Sequence, residues 1–139
     1  MTPLAGLVLP EACRRQMVQH ARREQPRECC GFLLGHPGRV LSIVETTNIS
    51  DGTRRYRVDP REHIALRRAL RDRTDGARIV GVYHSHPAGQ PVPSVTDIAE
   101  AHYPDWAHVI VGLGGKRAQV RAFRLAAGQS SEIPIRPAP

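Results

Sequence analysis

The 139-residue sequence predicts a single α+β domain spanning residues 1–139. Its length suits one hydrophobic core, and its composition of 40% hydrophobic and 24% charged residues is typical of globular proteins. Short apolar runs bounded by glycine predict buried strands, whereas apolar residues spaced three or four positions apart predict helices. Together these patterns indicate roughly three helices and six strands around one core.

The first third of the chain predicts one helix followed by two strands. The helix begins at Pro10. Its apolar face has the spacing i, i+4 and i+8 and consists of Cys13, Met17 and Ala21. The glycine-bounded run CCGFLLG at residues 29–35 predicts a buried strand, and residues 39–48 predict the next one. The HPGR sequence between them favours a hairpin connection.

The middle of the chain predicts a strand that runs into a second helix. Residues 54–60 alternate Tyr56 and Val58 with arginines, which favours a half-buried strand. The helix start is marked by Asp59 as N-cap, Pro60 at the first helical position and Glu62 at the third. Its apolar face consists of Leu66, Ala69 and Leu70.

The last part of the chain predicts three strands and a helix. The strands are expected at residues 77–86, 106–113 and 117–125, and the helix at residues 94–102. The domain closes with a proline-rich tail, about residues 130–139, which we expect to fray at its end.

Charge and apolar content limit the possible locations and partners. No apolar run approaches the ~18 residues of a membrane span, and the N-terminus lacks the pattern of a signal peptide. We therefore expect a cytoplasmic protein with no membrane partner. The net charge of +7 comes almost entirely from arginine, since Lys116 is the only lysine. This excess reflects either codon bias on solvated faces or attraction to an acidic partner. Aromatic residues, at 4%, do not interleave with the arginines, which argues against binding of single-stranded nucleic acid.

The three cysteines predict buried thiols. Their number is odd and no secretion signal is present, which argues against a disulfide framework. The adjacent pair Cys29 and Cys30 does not have the spacing of a four-thiolate zinc site, and the third cysteine is Cys13.

The stretch HSHPAGQPVPSVTD predicts a metal site. His84 and His86 are two residues apart at the end of a predicted strand, so their side chains project from the same face. Pro87 ends the strand, and a proline-containing loop leads to Ser94, a suitable helix N-cap. Asp97 then lies at the third helical position and can turn its carboxylate toward the imidazoles. Two histidines, one aspartate and a water form the usual shell of a catalytic zinc ion.

A second interpretation of the serine and the aspartate remains open. The spacing of Ser94 and Asp97 is also that of a capping pair, in which the carboxylate only completes a helix start. That interpretation does not explain two histidines at the adjoining strand end.

A zinc hydrolase also needs a general base, and Glu28 is the best candidate. It immediately precedes the apolar strand at residues 29–35, so a rigid sheet can hold its carboxylate in place. The alternative is that Glu28 is an ordinary solvated surface residue.

The sequences ECCGFLLG and HSHPAGQPVPSVTD resemble the signature of the JAMM metalloproteases, also called MPN-plus domains. Their pattern is an upstream Glu, then H-[ST]-H-P, a loop and P-S-x-x-D, and every signature position matches. The resemblance implies a curved mixed β-sheet flanked by helices and a zinc ion held by His84, His86 and Asp97. It also implies that Glu28 is the general acid/base and that Ser94 steadies the oxyanion.

The short chain resembles the small, stand-alone prokaryotic branch of this family. The resemblance implies a zinc peptidase or isopeptidase that cleaves the amide after the Gly-Gly end of a ubiquitin-like or sulfur-carrier protein, for example releasing cysteine. Two alternatives remain open: a non-catalytic MPN-type binding scaffold, and a DNA-repair-associated JAMM-like protein. Neither the carrier, the group released nor the oligomeric state follows from the sequence.

Overall fold

The computed structural model describes residues 5–139 and shows one sheet with helices on both faces. The predicted domain begins at residue 1, and residues 1–4 lie outside the described part. The helices are α1 (Glu11–Glu24), α2 (Pro60–Arg71) and α3 (Val95–Ala99). The strands are β1 (Leu7–Val8), β2 (Cys30–His36), β3 (Arg39–Thr46), β4 (Arg78–His86), β5 (Ala107–Gly112), β6 (Gln119–Ala126), β7 (Gln129–Ile133) and β8 (Ile135–Arg136).

The eight strands form a mixed sheet in the order β7-β6-β5-β4-β2-β3-β1-β8. The central strand β4 pairs antiparallel with β2 and parallel with β5. In this register His84 lies between Cys30 on one side and Ile110 on the other. The carboxyl end of β4, which carries the two histidines, is therefore held by neighbours on both sides. The predicted α+β class and mixed sheet are confirmed.

Helix α1 covers one face of the sheet, as its apolar spacing predicts. Cys13, Met17 and Ala21 are buried in a core cluster that includes Leu33 and Tyr83. All three cysteines are buried and free, so the predicted thiols are confirmed. Side chains alternate along a strand, so Tyr83 and His84 point to opposite faces. The histidines therefore lie on the face away from α1.

Helix α2 packs on the face that carries the histidines. The Asp59 carboxylate caps it by accepting a hydrogen bond from the Arg61 N–H at 2.9 Å, and Pro60 is its first residue. Leu66 and Leu70 pack against a buried cluster that includes Phe32 and Val82. The predicted start of this helix is confirmed, and its apolar face is confirmed for the two leucines, whereas Ala69 is exposed.

The predicted strand at residues 54–60 is wrong. Only an isolated bridge between Asn48 and Val58 is formed there, and residues 49–57 make a loop. The bridge lies just beyond the end of β3, and Tyr56 stacks on His84 with ring centroids 4.4 Å apart. Alternation therefore identified the half-buried Tyr56 and Val58 but not a paired strand.

Helix α3 is shorter than predicted and ends before residue 100. Its last residue is Ala99, and Glu100 is the C-cap. Tyr103 stacks on Trp106 with ring centroids 3.7 Å apart, and Pro104 between them disfavours helical geometry in the preceding residue. The chain therefore leaves the helix early and enters β5.

Most of the proline-rich tail is part of the sheet, and residues 137–139 at its end follow the last strand. Strand β7 pairs with β6, and β8 pairs in parallel with β1 through Leu7–Ile135 and Val8–Arg136. Ile133 is buried in the main core. These short strands lack a strong local pattern, and their partners lie far away in sequence, so local inspection missed them. Among residues 5–139, no helix has the length and apolar composition needed to cross a membrane.

Candidate metal centre

Three side chains meet at the carboxyl end of β4. His84 and His86 project from this strand, and Asp97 returns from the first turn of α3. Their ligand atoms are mutually close: the two Nε2 atoms are 3.2 Å apart, and each lies 3.2 Å from Asp97 Oδ2. His84 is 1% exposed, so this triangle sits at the edge of the core.

The triangle fits a tetrahedral metal ion. Three vertices of a tetrahedron whose bonds are about 2.0–2.1 Å long lie roughly 3.3–3.4 Å apart. The observed 3.2 Å edges match this spacing. Two imidazoles and one carboxylate also leave the fourth vertex for water or substrate. Among the described residues, these three form the group that can hold a metal ion.

A contact of His86 and the burial of His84 suit metal ligation. His86 Nδ1 is 2.8 Å from the carbonyl oxygen of Gln90, to which it can donate, and this contact favours the tautomer that leaves Nε2 available. The His84 ring is stacked on Tyr56, with centroids 4.4 Å apart and an interplanar angle of 20°. Its Nδ1 is buried without a partner among residues 5–139. Burial lowers the pKa of His84, more than Asp97 raises it, and so favours the neutral ring.

Helix capping and metal ligation would both use the same oxygen of Asp97, Oδ2. Asp97 Oδ2 accepts a hydrogen bond from the Ser94 N–H at 2.8 Å, and Ser94 Oγ accepts one from the Asp97 N–H at 3.0 Å. This is a complete capping box. Burial raises the pKa of Asp97, but hydrogen bonds from His84 and His86 lower it by more. The cap therefore orients an ionised oxygen toward both imidazoles.

Glu28 lies beside this triangle, at the start of β2. Its side chain is only 6% exposed, and Oε1 is buried without a partner among residues 5–139. Burial raises its pKa to about 7, against an opposing effect of His86 and with a further increase from Asp97. Both His86 and Asp97 therefore influence the pKa of this carboxyl. A carboxyl with this pKa can both accept and donate a proton near neutral pH.

Asn48, which the sequence analysis missed, holds the backbone around Glu28. Its side-chain amide donates to the carbonyl oxygen of Glu28 at 2.9 Å and to that of Arg55 at 3.0 Å. Its side-chain oxygen accepts from the N–H groups of Ser50 and Arg57, both at 3.0 Å. One buried side chain thus closes the loop after β3 and fastens it to Glu28. An asparagine at the end of an apolar strand was the only available signal.

A cavity of about 760 Å³ opens beside Asp97. Its walls are rich in rings: Phe32, Tyr56, His63, Tyr103, Trp106 and His108. His108 is 5% exposed, and its Nε2 has no partner among the described residues. Burial lowers its pKa to about 4, with a smaller lowering from His84, so the ring is neutral. A lone histidine inside the apolar run WAHVIVGL was the sequence signal for this residue.

Comparison with known proteins identifies relatives over most of the chain. A CysO-cysteine peptidase of Mycobacterium tuberculosis is 37% identical over 122 residues, covering 86% of this chain and 82% of the relative. A protein of Thermus thermophilus named "Probable TtuB-protein conjugate cleaving protease" is 35% identical over 134 residues, covering 94% of this chain and 84% of the relative.

The fold also matches a solved structure. The solution structure of DSY2949 from Desulfitobacterium hafniense superposes with a TM-score of 0.84 at 26% identity, covering 95% of this chain and 92% of that one. The family model described as prokaryotic homologs of the JAB domain matches residues 10–126. This agrees with the JAMM resemblance of the two sequence motifs. The chain therefore belongs to the prokaryotic JAB-domain family, a branch of the JAMM/MPN proteins.

Proposed function

We propose that the protein is a zinc-dependent peptidase or isopeptidase that cleaves the amide bond after the Gly-Gly end of a ubiquitin-like or sulfur-carrier protein. The observation that carries this proposal is the 3.2 Å triangle of His84, His86 and Asp97 beside the buried carboxyl of Glu28. The two relatives support it, because their names state that they act on CysO-cysteine and on TtuB-protein conjugates.

Zinc is the metal that best suits this site. Two neutral imidazoles and one carboxylate with an open fourth position form a donor set typical of catalytic zinc. His84, His86 and Asp97 would hold the ion. When bound there, zinc lowers the pKa of water and polarises the substrate carbonyl.

The remaining chemistry belongs to residues of the chain. Glu28 takes a proton from the attacking water and passes it to the nitrogen of the leaving amine. Its pKa of about 7 suits both directions of transfer. Ser94 Oγ already accepts from the Asp97 N–H, so its hydroxyl proton is available to donate to the developing oxyanion.

We expect the substrate tail to be Gly-Gly because a segment without Cβ atoms can pass close to the protein backbone on its way to the metal. Such a tail can lie extended along the protein with its backbone hydrogen-bonded. The cavity beside Asp97 has ring-lined walls and space for side chains of other substrate residues. A cytoplasmic location stays a prediction.

The decisive experiment offers the zinc-loaded protein a ubiquitin-like carrier with one residue added after Gly-Gly. Mass spectrometry should show release of that residue. A twin carrier ending in Ala-Ala before the added residue should be cut far more slowly. Glu28→Gln should retain zinc and fold but lose about 10²–10⁴ in rate, because an amide cannot take the proton.

Four kinds of outcome would contradict the proposal or part of it. Equal cleavage of both carriers, or efficient digestion of casein, would leave only a generic zinc peptidase. Normal turnover in Glu28→Gln would move the base to another carboxylate. Full zinc content in His84→Ala, His86→Ala or Asp97→Ala would remove that residue from the metal shell. Zinc binding without turnover of any carrier would favour the non-catalytic scaffold.

A further inference from the structure

A basic groove lies between α1 and the turn that joins β5 to β6. It has a volume of about 440 Å³. It is lined by Arg14, Arg15, Val18, Gln19, Arg22, Lys116, Arg117 and Ala118. Five of these residues are cations, and none is acidic or aromatic. The half-buried Val18 and Ala118 give the groove an aliphatic floor.

The cations of this groove differ from the other arginines in their arrangement. Several arginines elsewhere pair with carboxylates, as in Arg55–Glu100 and Arg121–Glu132. Within the groove, the ion pair among the described residues is Arg14 with Glu11, at 3.7 Å. Other exposed arginines on α2 project from one convex helix, whereas two elements here direct their cations into one concavity. The groove therefore has a concentrated and largely uncompensated positive charge.

The groove lies on the α1 face of the sheet, opposite the predicted metal ligands, but at the same end of the strands. The turn after β5 is hydrogen-bonded to the loop after β4: Leu113 N–H donates to the His86 carbonyl oxygen, and Gly114 N–H to that of Gly89, both at 3.1 Å. These segments pack so closely that a Cβ on Gly112 would lie 2.6 Å from the nitrogen of Pro91. Lys116 and Arg117 follow this hydrogen-bonded segment directly in the chain, so their positions are tied to the loop after β4.

We propose that this basic groove binds an acidic surface of the ubiquitin-like carrier whose tail enters the metal centre. The inference rests on the proposed function, because it supposes that a carrier is present at His86. The charge of the groove requires an anionic partner. Its aliphatic floor suits a protein surface, and without an aromatic ring it has no platform on which nucleic-acid bases stack.

The test compares two double variants with equal changes in net charge. Arg22→Glu with Arg117→Glu alters one cation on each side of the groove. Arg68→Glu with Arg71→Glu is the matched control on the exposed face of α2. Binding of a fluorescently labelled carrier ending in Gly-Gly is measured by anisotropy at low salt. Cleavage of the extended carrier is compared with cleavage of a short peptide that has the same tail.

The groove variant should bind the carrier about tenfold more weakly, whereas the control should stay within about twofold of the wild type. Its KM should rise for the carrier and not for the peptide, because the peptide lacks the acidic surface. Melting curves of both variants check the fold. Equal weakening by both doubles, or none by either, would overturn the proposal. Weaker binding of duplex DNA with unchanged carrier binding would overturn it in favour of a nucleic acid.

The outcomes separate this inference from the proposed function. Carrier binding that depends on the groove, together with no cleavage of carrier or peptide, would support the groove and refute the proposed activity. Cleavage of the extended carrier with unchanged binding in the groove variant would support the activity and refute the groove.

Discussion

At the scale of single residues, Asp97 combines two functions that the sequence presented as alternatives. One oxygen, Oδ2, accepts the N-cap hydrogen bond from Ser94 and faces both imidazoles. A ligand on an exposed loop would lose conformational entropy on binding a metal. Here the capping box has already fixed the carboxylate, so less ordering remains for the metal to impose.

Ser94→Ala separates capping from catalysis. The variant loses the bond from the Asp97 N–H to Oγ, which should cost about 1 kcal/mol of unfolding free energy. If its hydroxyl stabilises the oxyanion, kcat should also fall by about 10²–10³. Ser94→Thr retains a hydroxyl and should restore both quantities. Urea unfolding and carrier turnover are the measurements. Reduced stability with unchanged kcat would mark Ser94 as a cap only.

Glu28 should make the metal-free protein less stable as the pH rises. Its folded pKa of about 7 exceeds the usual value of 4.5, because burial disfavours the charged carboxylate. Protonated Glu28 therefore contributes its full stability below pH 4.5, and this contribution is lost as the pH rises through 7.

The test compares wild type with Glu28→Gln, which does not titrate at this position. Relative to the variant, the wild type should lose on the order of 3 kcal/mol of unfolding free energy between pH 4.5 and 8. Urea unfolding with a chelator present measures this difference. A difference in unfolding free energy that does not change with pH would show that folding does not raise the pKa of Glu28.

At the scale of elements, the C-terminal strands complete the edge of the sheet. Strand β1 is only two residues long and is held between β3 and β8. The Leu7 N–H donates to the Pro134 carbonyl oxygen at 2.8 Å, and the Leu9 N–H donates to that of Arg136 at 2.9 Å. The tail thus fastens the chain entering α1.

Removal of residues 134–139 should destabilise the protein. The truncation breaks the two hydrogen bonds to β1 and exposes Leu7, which is 1% exposed in the intact chain. We expect a loss of about 2 kcal/mol of unfolding free energy. Removal of residues 137–139 alone, which follow β8, is the matched control and should have little effect. Equal melting temperatures for both truncations would show that β8 does not stabilise the protein.

At the scale of the whole molecule, a metal would join two elements that have few other contacts. His86 and Asp97 are 11 residues apart, and the loop between them links the central strand to a five-residue helix. Asp97 belongs to both the capping box and the metal triangle. Metal binding should therefore stabilise the folded state as a whole.

Zinc removal should lower the melting temperature, and added zinc should restore it. Free zinc at a thousandfold excess over Kd corresponds to about 4 kcal/mol of stabilisation, provided that the unfolded chain does not bind it. Asp97→Ala should show little response to zinc, whereas Asp105→Ala, an exposed aspartate outside the triangle, should respond normally. Differential scanning calorimetry measures each shift. A full response in Asp97→Ala would contradict its role as a ligand.

The sequence by itself determined the elements that have strong local signals. The apolar spacing of α1, the N-cap of α2 at Asp59 and the buried runs of β2, β4 and β5 depend on residues close together in the chain. The spacing of His84 and His86 likewise fixed a shared face, because side chains two apart on a strand point the same way.

Only the tertiary structure decided what depends on distant partners. Residues 54–60 alternate like a strand but form only an isolated bridge, whereas the weakly patterned β1 and β8 pair with each other. Asn48 and His108 lie beside the site because folding brings together strands that are far apart in the sequence. The raised pKa of Glu28 has the same origin, because the burial that raises it, the opposing effect of His86 and the further increase from Asp97 all come from other parts of the chain. Local sequence sets conformational preference, but strand pairing, burial and electrostatic environment are set by residues far apart in the chain.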